Sequence, residues 1–172
     1  MRERTRIRSG LRPRLDDPYL DSKAYPEPTI CPKCGLVYRD KRWTRDDAYY
    51  KKVEKKATRR LCPACRKIRD HFAMGVVYLS GDFLNGHKEE IVNLMQNIAE
   101  GEFRYNPLER IMEMKEDERG MEVRTTSEHL AMGIGRAVQR AFGGELRYAF
   151  SYEEKRVRVY WSRNSGTTRK EE

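Results

Sequence analysis

Histidine and cysteine are scarce in this sequence: 3 and 4 among 172 residues. That leaves little material for a disulfide framework or for a histidine-rich catalytic metal site. Long apolar runs are missing as well. The longest, Ala73 to Leu79, passes through Gly75 and gives way to Ser80, Gly81 and Asp82. It falls far short of the roughly 18 to 20 apolar residues that carry a helix across a bilayer, so a membrane-spanning helix is not expected. The opening MRERTRIRSGLRPRL has no apolar core, so a secretory signal is not expected and a cytoplasmic location is. No G-x-x-x-x-G-K-[ST] motif is present, which removes the usual phosphate cradle of nucleotide hydrolysis.

What is abundant is charge. Hydrophobic residues make up 38% and charged residues 37%, a balance that supports a modest core under an extensively solvated surface. The length suits one ordinary domain or two small ones. Lys plus Arg number 36 against 27 Asp plus Glu, a net charge of +9, and a field of that sign attracts polyanions. The charge is clustered: Arg2, Arg4, Arg6, Arg8, Arg12 and Arg14 face a single Glu3, and basic residues recur from Lys51 to Arg69. Nucleic acid is the expected partner.

The cysteines fall in two pairs, Cys31 and Cys34 in CPKCG and Cys62 and Cys65 in CPACR, with 27 residues between them. The gap exceeds the usual span of about 15 to 20 but the pattern is of the same kind. Each Cys-x-x-Cys turn can aim two sulfurs at one ion, so the expected site is a tetrahedral Zn2+ held by Cys31, Cys34, Cys62 and Cys65.

Along the chain, residues 1–29 have little periodicity and carry Pro18, Pro26 and Pro28, and they are expected to form a basic, flexible arm. Residues 30–74 form the zinc module. Leu36, Val37, Tyr38 and Trp43 suggest a hairpin, residues 44–60 a partly helical stretch, and Ile68 with Phe72 the apolar stripe of a helix opened by the second cysteine pair. That order matches a treble clef, with a zinc ribbon as the nearest alternative. Residues 75–162 alternate strands and helices. A strand at Val76–Leu79 and a turn at residues 81–86 precede a helix from His87 to Ala99 ended by Gly101. A hairpin of residues 110–116 and 121–126 follows. Ser127 then caps a helix carrying Leu130, Ile134, Val138 and Phe142, and two closing strands end the segment. The expected class is α+β, a ferredoxin-like β-α-β-β-α-β domain with an extra edge strand. Residues 163–172 form a polar tail.

Strand periodicity sorts the sheet's faces. Val157, Val159 and Trp161 share one side with Met121 and Val123, and Leu146, Tyr148, Phe150 and Tyr152 are expected to join them. Arg124, Arg147, Arg156, Arg158 and Tyr160 fall on the other. If helices cover the apolar side, the open side offers guanidiniums and a tyrosine, groups that hold phosphates and stack on bases. Candidate RNA contacts are therefore Arg124, Arg147, Arg156, Arg158 and Tyr160 on the sheet, Arg2, Arg4, Arg6 and Arg8 on the arm, and Arg66 beside the second cysteine pair.

Catalytic readings find little support. Gly133-Ile134-Gly135 lies in a helical pattern, where it permits close packing. His87-Lys88-Glu89 imitates the H-x-E of zinc deaminases but follows both cysteine pairs, and no proline precedes either pair. His71 suits a solvated or capping role, His129 a surface position, and Glu89 and Glu90 a helix's first turn.

The run CPKCGLVYRDKRW and the block IMEMKEDERGMEVRTTSEHLAMGIGRAVQRAFGGELRYAFSYEEKRVRVYWSR resemble the family named for nonsense-mediated mRNA decay, whose eukaryotic members are ribosomal large-subunit export adaptors. The resemblance covers residues 30–163. It implies a zinc module followed by an α/β module, the four cysteines as ligands and Trp43 as a packing residue, in a shortened relative with one four-cysteine set. The expectation is a zinc-stabilised, non-enzymatic protein that binds RNA, acting on ribosomal RNA or a ribosomal particle, without a membrane or small-molecule substrate. A protein-interaction adaptor is the alternative, and a zinc-dependent hydrolase or deaminase the third reading.

Overall fold

The computed structural model describes residues 17–21, 23–151 and 155–166, and among them the chain is α+β, with four helices and two mixed sheets. The first sheet is small. Strands β1 (Thr29–Ile30), β2 (Val37–Arg39), β3 (Arg42–Thr44) and β4 (Thr58–Arg59) lie in the order β3-β2-β1-β4. Asp40 and Lys41 take φ of 51° and 60°, the left-handed conformation that a two-residue hairpin turn requires. Helix α1 (Asp47–Val53) bridges β3 to β4, and the Asp46 carboxylate caps it by accepting from Tyr49 N at 2.9 Å. Helix α2 (Pro63–Arg69) opens with Pro63 in its first turn and Cys62 as its cap, a position where the missing proline N–H costs nothing.

Seven further elements form the larger unit: β5 (Gly75–Ser80), α3 (Asp82–Tyr105), β6 (Ile111–Asp117), β7 (Gly120–Thr125), α4 (Glu128–Phe142), β8 (Glu145–Ser151) and β9 (Arg156–Ser162). Their sheet runs β6-β7-β5-β9-β8, with β5 and β9 parallel and the other neighbours antiparallel. The last strand is therefore not an added edge. It sits between β5 and β8, and β8 is the edge. Burial accounts for this: Val157, Val159 and Trp161 are at most 1% exposed, and three bulky residues on one face need the centre of the helix layer. Helix α3 also begins earlier and ends later than its periodicity suggests. Asp82 suits the positive helix start and Leu84 is buried, so residues 82–86 form a first turn, kinked at His87 (φ −128°, ψ 16°). Gly101 does not stop the helix.

Between sheet and helices, Val77, Leu79, Val123, Val157, Val159 and Trp161 meet Ile91 and Met95 of α3 and Leu130, Ile134 and Val138 of α4. Helix α4 comes close because Gly135 lacks a side chain: a Cβ there would lie 2.5 Å from Val159 Cγ1. The helix covers Leu146 but not the rest of the edge strand. Tyr148 and Phe150, expected in the core, are 38% and 55% exposed, and Tyr152 lies outside the described residues.

Residues 17–21 and 23–28, read from sequence as part of a flexible arm, pack against the four-cysteine module. Asp17 pairs with Lys67, the Tyr19 ring lies 5.1 Å from Phe72, and Tyr25 sits edge-on to Tyr38 and Trp43 at 4.9 and 5.3 Å. Tyrosines and acids meeting a basic helix outweigh the prolines. The tail is likewise anchored at its start, where the Arg163 guanidinium lies 3.8 Å above the Phe83 ring and donates to Phe142 O.

Candidate functional site

The turn between β1 and β2 carries the first cysteine pair. Cys31 N donates to Leu36 O at 2.8 Å and Gly35 N to Cys31 O at 2.9 Å, and Gly35 takes φ 75°, a conformation glycine adopts freely. The second pair sits at the start of α2, where Cys65 N points at Cys62 Sγ at 3.4 Å and Cys62 N at Cys31 Sγ at 3.3 Å. All four sulfurs lie within 4.8 Å of one another, and Cys34 and Cys62 sulfurs are 3.7 Å apart. Two sulfurs bound tetrahedrally to one ion at about 2.3 Å stand about 3.8 Å apart, so the cluster has the size a metal requires. The structure contains no disulfide among these cysteines.

Crowding splits the thiols. Hydrogen bonds from Cys34 and Cys62 pull Cys31 down, the same contacts to Cys31 and Cys34 push Cys62 up, and burial pushes Cys65 up to about 11. Four thiolates at this spacing need a cation. Three of the four cysteines are buried, and within the cluster no histidine or carboxylate joins them. The donor set is four sulfurs, with no fourth position left for a reacting water.

Sequence reasoning missed the residue that completes this centre. Arg110, just before β6, donates from Nη2 to Cys34 Sγ at 3.3 Å and Cys62 Sγ at 3.8 Å, and from Nη1 to Cys65 Sγ at 3.4 Å. Its Nε donates to Pro107 O at 2.8 Å, which fixes the fork. A divalent ion with four thiolates carries a net charge of −2, and the guanidinium offsets part of it while its N–H groups orient the sulfurs.

The second assembly is the face of the large sheet opposite the helices. Register places Arg147, Tyr160, Tyr78 and Glu122 in one row, and Ala149, Arg158, Val76 and Arg124 in the next, with Arg156 beyond. The five sheet residues predicted from periodicity thus share one open face. Tyr78 was not among them. Its ring stacks on Tyr160 at 5.1 Å and 13°, and the Arg147 guanidinium lies 5.6 Å from the Tyr160 ring. Burial and nearby Glu122 push the Tyr78 hydroxyl above its ordinary range. The face is not uniformly cationic: Arg124 pairs with Glu122 at 3.7 Å. Helix α2 borders it, since Arg156 lies 4.2 Å above the Phe72 ring just past that helix, and Ile68, His71 and Arg124 line one small cavity.

Arg66 does not belong with these contacts. Its guanidinium donates to Tyr19 O, to Asp21 Oδ2 at 3.0 Å and to Tyr25 Oη at 3.1 Å, holding Tyr19, Asp21 and Tyr25 against α2. The side chain, predicted as a nucleic-acid contact, is thus engaged within the fold. Arg2, Arg4, Arg6 and Arg8 lie outside the described residues. His87 stacks on Phe83 at 4.0 Å, and His129 faces Glu102 and Glu109 at the surface. Among the described residues, no helix is long and apolar enough to cross a membrane. No family model, curated protein or solved structure matches the chain.

Proposed function

We propose that this protein is a non-enzymatic RNA-binding protein in which a structural Zn2+ site braces an open sheet face that contacts the nucleic acid. The observation that carries the reading is the register: Arg147, Arg156 and Arg158 share one uncovered face with the Tyr78–Tyr160 stack. Cationic groups interleaved with aromatic rings bind backbone phosphates and bases together. Zinc is the metal that an all-sulfur, closed set of four ligands suits, and it supplies shape rather than chemistry. A hairpin knuckle followed by a knuckle opening a helix supports a treble-clef reading of the first unit. The element order of the second supports a ferredoxin-like relationship, with β9 inserted beside β5. Ribosomal RNA or a ribosomal particle as target, in the cytoplasm, follows from the resemblance to the nonsense-mediated decay family.

The test is filter binding with ribosomal RNA at rising salt. Affinity should fall by about 0.7 log unit per log unit of salt for each phosphate contact on a single strand. Replacing Arg147, Arg156 and Arg158 by Glu should flatten that slope. A salt-independent wild type would remove the reading. A second reading, a protein-binding adaptor, is favoured by exposed Tyr148 and Phe150 on the free edge strand β8. A stoichiometric partner that survives nuclease and is lost on Phe150→Ser would support it.

A further inference from the structure

The open face is not flat. A depression of about 230 Å³ lies between the tyrosine pair and the Phe72 end of the face. Its position follows from the strand register, because the row Ala149, Arg158, Val76, Arg124 alternates short and long side chains. The short Val76 and Ala149 leave an apolar floor beside the longer Arg124, Arg156 and Arg158 on the same face, and Tyr78 and Phe150 also line the depression.

We infer that this depression takes one unstacked nucleotide of a single-stranded RNA, a reading that rests on the RNA-binding function above. An apolar floor offers nothing to a bare phosphate but suits the face of a base, and guanidinium planes stack on bases as well as binding phosphate. Glu122 lines the same depression. Its carboxylate repels phosphate and accepts N–H groups from a base edge, so the base edge lies toward Glu122 and the phosphate toward Arg156 and Arg158. A base inside a duplex cannot reach the floor without leaving its stack. The cations also continue past the depression to Arg147, beyond Tyr160, which fits a strand better than a free mononucleotide.

Fluorescence anisotropy on the full chain separates these cases, with a 5′-labelled 12-nucleotide single strand, a duplex of the same sequence, and GMP as competitor. Ala149→Trp fills the depression from an exposed position on the edge strand without removing a charge. The wild type should prefer the single strand, and the variant should lose about ten-fold in affinity for it, the scale of one lost base contact, with its salt slope and its circular dichroism unchanged. Unchanged single-strand affinity in the variant, equal binding of duplex by the wild type, or GMP competing as well as the strand would each overturn the nucleotide site while leaving salt-dependent RNA binding in place. Absence of salt-dependent binding to either RNA would instead defeat the RNA reading, and the site with it.

Discussion

Arg110 donates to Cys34 Sγ at 3.3 Å across 76 residues of chain, so the centre held by the two cysteine turns is completed from the unit that follows. The Arg110 backbone is fixed in turn by Thr126: Arg110 N donates to Thr126 Oγ1 at 2.8 Å, and Thr126 N donates to Arg110 O at 2.9 Å. The backbone is thus held on both sides of the residue and the guanidinium by its own Nε–H bond to Pro107 O at 2.8 Å, which is the arrangement expected of a group that orients metal ligands. Arg110→Ala should weaken metal binding by about 10- to 100-fold, read by chelator competition on the full chain. Arg110→Lys keeps the charge but loses the fork and should recover only part of it. Equal metal affinity in all three proteins would show that the sulfurs need no support from this side chain.

Tyr25 gives a test in pH. Burial, then its hydrogen bond to Asp21, raises its hydroxyl from the ordinary 10.0 to about 12. A raised value means that the fold favours the protonated phenol, so its contribution is complete below about pH 10 and fades as pH rises toward 12. Asp21 shifts the other way, lowered first by the Tyr25 hydrogen bond. Its contribution is complete above the ordinary 3.8 and is lost as pH falls further. Residues 19–21 and 23–25 should therefore loosen at both extremes. Difference absorbance of the phenolate should show Tyr25 titrating toward about 12, and Asp21→Asn should lower it only in part, because burial, the larger cause, remains.

The cysteine spacing and helix α4 were readable because each is specified locally. Ser127 caps the helix by accepting from Leu130 N at 3.0 Å, apolar residues recur at helical spacing, and Gly143 closes it at φ 67°. Alternation along β9 likewise sorted Arg156, Arg158 and Tyr160 from Val157, Val159 and Trp161. What stayed hidden depends on pairing between distant segments. Periodicity gives a strand two faces but no neighbours, so it could not place β9 beside β5 or expose Tyr148 and Phe150 on an edge. Arg110 and Arg66 look like any other surface arginines until the fold brings them sulfurs in one case and a tyrosine carbonyl in the other.

Gly135 tests how closely α4 must approach the sheet. A Cβ at this position would lie 2.5 Å from Val159 Cγ1 and 3.1 Å from Leu146 Cδ1, and both contacts are in the packed layer between helix and strands. Gly135→Val should destabilise the fold by about 1 to 3 kcal/mol through overpacking, read as a lower urea midpoint. Gly133, two residues earlier on the other side of the helix and with open space around it, should accept alanine with no loss. Helix propensity favours alanine over glycine at both sites by about 1 kcal/mol, so a gain for Gly133→Ala beside a loss for Gly135→Ala isolates packing from backbone effects.

The buried pair of Asp17 and Lys67 tests whether residues 17–21 and 23–28, a strap packed on the four-cysteine module, are an integral part of the fold. Asp17 is 8% exposed and Lys67 6%, and Lys67 Nζ donates to Asp17 Oδ2 and, at 3.0 Å, to Thr126 O. This ammonium therefore joins three segments: the strap, α2 and the loop after β7. Removing only the carboxylate leaves a buried charge facing a carbonyl that cannot neutralise it, and Asp17→Ala should cost about 3 to 5 kcal/mol. Replacing both partners with apolar residues, Asp17→Leu with Lys67→Met, should recover most of that loss, because neither charge then has to be desolvated. Urea unfolding of the two single variants and the double variant reads the coupling directly. Additive losses would mean that the strap and α2 are stabilised independently, whereas a double variant more stable than Asp17→Ala alone places the cost in the stranded ammonium.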